Sequence, residues 1–284
     1  MAHRSVYKTP DELRLMVAPG VVTAESLAAV RAAIAPGVTT LELDAIAEAS
    51  IRSAGAVPNF AKEPGYHHTL CVSVNDEAVH GMPGARVILP GDLVSIDSGA
   101  EVGGWNGDAA FSVVVPDPSR PELVAARQQL ADVTEHSLWA GIAALASASR
   151  LGEVGAAIED AVDAAPRVLA SGEPAPWGML EDYAGHGIGR AMHEDPDVFN
   201  FRIRAAGPKV RPGLAIAIEP MITAGGADTH VLADGWTVAT DDGSDAAHWE
   251  HSVAVHEGGI WVLTALDGGA AGLAPFGVVP VPIP

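Results

Sequence analysis

Four carboxylates and one imidazole stand out in this chain: Asp97, Asp108, Glu219, Glu250 and His186. Each sits in apolar or glycine-rich sequence, as in Val94-Ser-Ile-Asp97, Asn106-Gly-Asp108, Gly185-His-Gly-Ile-Gly189, Ala215-Ile-Ala-Ile-Glu219 and Trp249-Glu250. An acid inside such a segment is costly unless it is paired or bound to a cation. An oxygen-rich donor set with one nitrogen and no thiolate suits a catalytic site for divalent ions such as Mn, Fe, Co or Zn. Four negative charges can neutralise two dications, and paired ions supply hydroxide at neutral pH while polarising a carbonyl. Taken singly, each acid reads as a surface or capping group; the five together resist that reading. His80 and His193 lie beside turns made by Gly or Pro, whereas His67, His68, His136, His230, His248, His251 and His256 read as structural.

Positioning such residues requires strands. Val94 to Val113 reads as two strands rich in Val and Ile around Gly103-Gly104, an antiparallel hairpin. With the turn centred between Val102 and Gly103, Asp97 falls opposite Asp108, where like charges need a cation or a shared proton. Both aspartates pointing to solvent is the alternative. Leu70–Val74, Gly213–Glu219 and Glu250–Val255 also have strand character. Thr9-Pro-Asp-Glu12 reads as a capped helix start, Pro19-Gly20 as a kink or interruption, and Ala24–Ile34 as an amphipathic helix. Thr39 or Thr40 should cap a second helix to about Ser53 with Leu41, Leu43, Ile46 and Ile51 as its apolar stripe. Long helices are expected over Glu122 to about Ser149 and over Leu151–Leu169, with a loop over Ser171–Trp177. The fold class is α+β: an antiparallel sheet with helices packed on one side. A single domain over residues 1–267 is expected, followed by a Gly/Pro-rich C-terminal tail at 268–284 that lies along the surface or is disordered.

Composition narrows the partners. The 284 residues are 48% hydrophobic, enough for a substantial core, and 36 acids against 16 Lys and Arg give a formal charge of −20. That charge disfavours DNA and anionic membranes as partners. One cysteine, Cys71, excludes an intrachain disulfide and a cysteine-based zinc site. With no signal-peptide pattern and no uninterrupted apolar run of membrane-spanning length, a cytoplasmic location is expected. The glycines around His186 superficially suggest a phosphate loop but lack its Lys-Ser/Thr ending, which argues against nucleotide binding.

The chain resembles type I methionine aminopeptidases, members of the pita-bread metallopeptidases, from about Thr9 to Thr264. The resemblance is carried by Asn75-Asp-Glu-Ala-Val-His-Gly-Met-Pro83, Ser95-Ile-Asp97, Asn106-Gly-Asp108, Gly185 to Pro196, Ile218-Glu-Pro-Met221, Asp234-Gly-Trp-Thr237 and Trp249-Glu-His251. It implies a pita-bread fold, an antiparallel sheet with two pairs of helices on one side and a central dinuclear metal site. Asp97 and Asp108 would chelate and bridge two divalent ions, His186 and Glu219 complete one shell, and Glu250 bridge. His80 and His193 would contact the substrate at the scissile amide, with Glu219 the proton acceptor. Tyr66, Cys71, Met192 and Trp236 would line the methionine pocket, and carbonyls near Asn75 and Glu77 would hold a monovalent cation. The implied reaction is metal-dependent removal of N-terminal methionine from peptides and nascent chains by a monomer. Proline-directed specificity and a catalytically silent binding module are the alternatives; intact site residues argue against the second, and a helix starting by residue 10 against the first.

Three pocket positions depart from that pattern: Phe60 stands where cysteine is common, Glu63 where an aromatic is common, and Met192 where phenylalanine is usual. A charge at 63, if it lines the pocket, would weaken methionine binding or favour another side chain. No Lys or Arg follows Arg211, so the last 73 residues hold nine acids and no such base. Weak ribosome contact is the expectation from that stretch, unless acidity is general to the source proteome.

Overall fold

The Gly103-Gly104 pair sets the geometry of the central hairpin. Both residues have positive φ, 58° and 78°, the requirement of a two-residue type I′ turn whose twist matches the flanking strands. Val102 therefore closes the turn against Trp105, and Asp97 pairs with Ala110 while Asp108 pairs with Gly99. The expected Asp97–Asp108 opposition is thus wrong by two residues. The aspartates are diagonal neighbours on one face, because the turn centres between the two glycines.

The computed structural model describes residues 6–168 and 172–284. Nine strands form the main sheet: β1 (Val57–Pro58), β2 (Leu70–Val74), β3 (Leu93–Val102), β4 (Trp105–Val114), β5 (Gly185–Gly187), β6 (Glu194–Val198), β7 (Ala215–Ile218), β8 (Glu250–His256) and β9 (Gly259–Val262). Their order is β1-β3-β4-β8-β7-β5-β6, with β2 also on β3 and β9 also on β8. All these pairings are antiparallel.

Four long helices accompany the sheet: α1 (Pro10–Ala33), α2 (Thr40–Ser53), α3 (Pro121–Leu145) and α4 (Gly152–Ala164). Packing pairs α1 with α2 and α3 with α4. Capping boxes start the first pair, Thr9 with Glu12 and Thr39 with Glu42, each satisfying otherwise orphaned N–H groups. One core cluster joins Leu27, Leu43, Leu138 and Ile158 of the four helices to Val72, Val94, Ile96, Phe111, Ile216 and Val253 of the sheet. Strand side chains alternate between faces. Residues 94 and 96 thus face the helices and Asp97 faces away, and Phe111 and Ile218 do the same for Asp108 and Glu219.

Several expected boundaries shift. Helix α1 runs unbroken through Pro19-Gly20, because tertiary contact overrides local propensity there. A β-carbon on Gly20 would lie 2.4 Å from the Leu263 carbonyl oxygen, and one on Gly107 of β4 would lie 2.9 Å from the backbone of Pro19 and Gly20. The small residue is where helix and sheet backbones touch. An 18-residue window of α1 has mean hydropathy 1.4, matching a membrane span by length and composition, yet Leu13, Met16, Thr23, Leu27 and Val30 are buried in the protein. Leu41 is 49% exposed and leaves the stripe of α2 to Leu43, Ile46 and Ile51. Helix α3 ends at Leu145 rather than Ser149, and α4 at Ala164. The expected extension of α4 to Leu169 fails at Ala165, whose backbone is extended (φ −78°, ψ 118°); Leu169 itself and Ser171, the expected start of the following loop, fall outside the described residues.

Residues 268–284 pack on the body. A short helix, α5 (Ala270–Leu273), buries Leu273 in the main core. Further on, the Val281 N–H donates to the Ile260 carbonyl at 2.9 Å, and the Val281 carbonyl lies 2.8 Å from His256 Nε2.

Candidate metal centre and substrate pocket

The sheet face opposite the main helix core gathers the acids, and small residues let them converge. Ala110 pairs with Asp97 on one side and with Glu250 on the other, so only a methyl group separates the two carboxylates. Asp108 lies two residues back along β4, on the same face. At Ser252 the backbone of β8 leaves β4: its N–H donates to Thr264 Oγ1 at 3.0 Å and its carbonyl accepts from Leu263 at 2.8 Å. The Ser252 hydroxyl takes the place of the lost pairing, accepting from the Asp108 N–H at 3.0 Å and donating to the Asp108 carbonyl at 2.7 Å.

Glu219 arrives from the other half of the chain. The pairs Ile218↔His251 and Met221↔His248 share one register across the break at Pro220, which puts Glu219 opposite Glu250. This is the direct opposition of carboxylates expected of the hairpin, made instead between β7 and β8. Asn200, fully buried, holds the Glu219 carbonyl at 3.0 Å.

His186 is carried by a strand squeezed on both sides. A β-carbon on Gly185 would lie 2.4 Å from the Ala217 oxygen and one on Gly187 2.1 Å from the Asp195 oxygen. The glycines therefore permit close strand approach rather than forming a phosphate cradle. His186 Nδ1 is 3.0 Å from the Gly187 carbonyl, so it carries the proton and leaves the Nε2 lone pair facing Glu219 Oε1 at 3.6 Å. The His193 ring stands edge-on to His186, with centroids 4.4 Å apart.

His80 occupies a left-handed backbone conformation, φ 57°, which is uncommon for a residue with a side chain and clusters at functional sites. The next residue imposes it. A β-carbon on Gly81 would lie 2.2 Å from the Val72 oxygen, and Gly81 is tied to β2 by its carbonyl, which accepts from the Val72 N–H at 2.7 Å.

The charge balance of the cluster is unfavourable as it stands. Burial, followed by repulsion from Asp108 and Glu219, pushes the Asp97 carboxyl well above its ordinary pKa. Burial and Glu219 do the same to Asp108, and burial with Asp108, Glu219 and Asp97 to Glu250. Burial acts upward on Glu219 too, but the His248, His186 and His80 imidazoles outweigh it and hold that group below the usual value. Burial lowers His80 and His193 and favours their neutral forms. Asp97 Oδ1, Asp108 Oδ1 and Glu250 Oε1 are buried without a hydrogen-bond partner, as is His248 Nε2. No Lys or Arg lines the cleft among the described residues. Buried anionic oxygens with neither donor nor counter-charge are what a cation would satisfy. Two donor sets are close enough to hold one: Asp108, His186 and Glu250, and Glu219, His248 and Glu250, each with its ligand atoms within 4.8 Å of one another. The residues fit divalent metal.

One cleft is lined by Asp97, Asp108, His186, Glu219, Glu250, His80 and His193 and continues into an apolar pocket; His248 lies outside its lining. Phe60, Tyr66, Cys71 and Met192 are buried together, with Met82 and Trp236 packed against them. Tyr66 donates to the Leu70 carbonyl at 2.6 Å and contacts Cys71 Sγ at 3.3 Å. Trp236 stands edge-on to Tyr66 at 5.0 Å, set by Asp234, which accepts from the Trp236 and Thr237 N–H groups at 2.9 Å. Phe60 and Glu63 both line the cleft. The structure brings into this cleft Asp97, Asp108, His186, Glu219, Glu250, His80, His193, Tyr66, Cys71, Met192 and Trp236, whereas Asn75 and Glu77 lie outside its lining. Sequence reasoning passed over His248, whose place two residues before Glu250 was the available signal, since strand residues two apart share a face.

The likeness to known proteins extends over nearly the whole chain. Methionine aminopeptidase 1 of Mycobacterium tuberculosis is 48% identical over 258 residues, covering 90% of this chain and 94% of that protein. The Bacillus subtilis methionine aminopeptidase 1 is 39% identical over 259 residues, 91% of this chain and 98% of its own. In structure, the chain is similar to methionine aminopeptidase of Thermotoga maritima at TM-score 0.81 and 36% identity, covering 91% of this chain and 98% of that one. The pattern of metallopeptidase family M24 matches residues 14–257, a span that includes every residue of the cleft, and the chain belongs to that family.

Proposed function

We propose that this protein is a metal-dependent aminopeptidase that releases methionine from the N-terminus of polypeptides. The observation that carries it is the joining, in one cleft, of buried carboxylates without counter-charge and an apolar pocket lined by Phe60, Tyr66, Cys71, Met192 and Trp236. Asp97, Asp108, His186, Glu219 and Glu250 would hold two divalent ions, Co, Mn, Fe or Zn by donor type. Bound there, such ions supply hydroxide at neutral pH and polarise the scissile carbonyl.

The remaining chemistry belongs to the side chains. Phe60, Tyr66, Cys71, Met192 and Trp236 take up the methionine side chain and fix the distance of the first peptide bond from the acids. The peptide's ammonium end is drawn to a cleft with five acids and, among the described residues, no Lys or Arg. Glu219, the carboxylate held ionised by its imidazole neighbours, accepts the proton of the attacking water. His193 donates to the carbonyl oxygen as charge develops there, and His80 supports the departing amide nitrogen. Carbonyls near Asn75 and Glu77 would hold a monovalent cation.

The substrates are peptides and nascent chains met in the cytoplasm by a monomer. The acidic stretch after Arg211 makes contact with ribosomal RNA weak. The test is hydrolysis of Met-Ala, Leu-Ala, Lys-Ala and Ala-Pro peptides by metal-stripped protein refilled separately with Mn, Co, Fe or Zn. Release of methionine in preference is the expected result. Preferential release of another residue would move the specificity, with Glu63 the first position to examine, and no release with any ion, despite binding, would refute the proposal.

A further inference from the structure

His248 stands outside the five residues assigned to the metals, yet its position is as constrained as theirs. It is 2% exposed, and its Nε2 has no hydrogen-bond partner. The shared register across Pro220 places it one step past the Glu219–Glu250 opposition, diagonal to Glu219 and on the face of Glu250. Ser112 fixes its backbone from both sides: the His248 N–H donates to Ser112 Oγ at 3.0 Å, and that hydroxyl lies 2.9 Å from the His248 carbonyl. Ser112 is braced in turn by Ser95 at 2.7 Å. The imidazole is thus offered from a clamped strand end, not from a loop.

Glu219 stands between two imidazoles in matching relation. Its Oε1 is 3.6 Å from His186 Nε2 and its Oε2 is 3.5 Å from His248 Nε2. Both separations exceed a good N–H···O bond, about 2.7–3.2 Å. Both are close to the spacing of two atoms that share one ion at metal–ligand distances of about 2.0–2.2 Å, which is roughly 3.0–3.6 Å. The donor atoms of Glu219, His248 and Glu250 lie within 4.8 Å of one another, as do those of Asp108, His186 and Glu250.

We infer that His248 is a sixth protein ligand, adding a second nitrogen donor beside Glu219 and Glu250 to the five residues assigned above. This rests on the reading of the cleft as a metal centre. A second imidazole shifts the preference of the ion it joins from Mg or Mn toward borderline ions such as Zn, Co, Fe and Ni, which imidazole suits.

Titration of the metal-free full chain with Co(II), followed by calorimetry and by proton NMR with ¹⁵N-labelled histidine, tests it. Two imidazole N–H signals with large paramagnetic shifts are expected at saturation, one lost in His186→Gln and the other in His248→Gln. His248→Gln should also weaken one of the two binding steps at least tenfold, the scale set by altered support of a metal ligand. Only one shifted imidazole in the wild type, with His248→Gln binding Co(II) as tightly as wild type, would overturn the inference while leaving the metal centre intact. If Asp108→Asn also left Co(II) binding unchanged, the metal-centre reading itself would fall. Should His248→Gln not fold, the wild-type signal count decides alone.

Discussion

Replacing Ser252 by alanine should cost more than any surface substitution, although no reacting group is touched. The hydroxyl stands in for a missing strand pairing: it accepts from the Asp108 N–H at 3.0 Å and donates to the Asp108 carbonyl at 2.7 Å, where β8 has turned to Leu263 and Thr264. Ser252 is fully buried, so alanine leaves a donor and an acceptor without partners. Each orphaned buried group costs about 1–3 kcal/mol. Two of them put the loss at about 2–6 kcal/mol, which for a chain of this size, at about 2 °C per kcal/mol, lowers Tm by about 4–12 °C. Urea and thermal denaturation of the metal-free protein, wild type against Ser252→Ala, would measure it. The metal-loaded pair should show a larger gap, because Asp108 is then less well held. A loss below about 0.5 kcal/mol, the range of ordinary surface changes, would refute the argument that the hydroxyl replaces the ladder.

Two further outcomes follow from the same geometry. Asp97, Asp108 and Glu250 have folded pKa values raised by burial and mutual repulsion, so the folded metal-free protein binds more protons than the unfolded chain; the stability this contributes is present below about pH 4 and lost as pH rises through the raised values. Glu219, depressed, contributes in the opposite sense, but three groups outweigh one. Metal-free protein should therefore gain stability between pH 7.5 and 5.5 relative to an Asp97→Asn, Asp108→Asn, Glu250→Gln variant, and saturating metal should cancel the gain; a flat difference between the two proteins would contradict the shifts. Gly187→Ala should destabilise by about 3 kcal/mol through overpacking, since its β-carbon would meet the Asp195 oxygen at 2.1 Å; a fall in Tm of less than about 2 °C would mean that β5 and β6 part easily.

What was legible in the sequence depended on how local its cause is. Thr9 and Thr39 announced their helices because a capping box lies within four residues. Asp97, Asp108, His186, Glu219 and Glu250 stood out because acids in apolar strands demand a reason, and the resemblance then ordered them. The diagonal offset of Asp97 and Asp108 was not legible without the turn type, which both glycines of the pair had to share. Pro19-Gly20 misled for the opposite reason: what keeps α1 continuous is the backbone of Gly107 and Leu263, remote in sequence. His248 stayed hidden because its significance comes from Glu219 on the neighbouring strand, a relation set by register rather than by composition.

The C-terminal residues have a role that their composition conceals. Strand β9 would otherwise present an unpaired edge, the kind of surface on which other chains add as extra strands. Val281 donates to the Ile260 carbonyl, accepts from the His256 side chain, and lays its methyl groups over Gly258 and Gly259. Arg14 of α1 fastens the following segment by donating to the Pro284 carbonyl. Prolines at 280, 282 and 284 offer no N–H of their own, so the cover cannot recruit a further strand on its outer side. The segment is a blunt seam laid over that edge of the sheet.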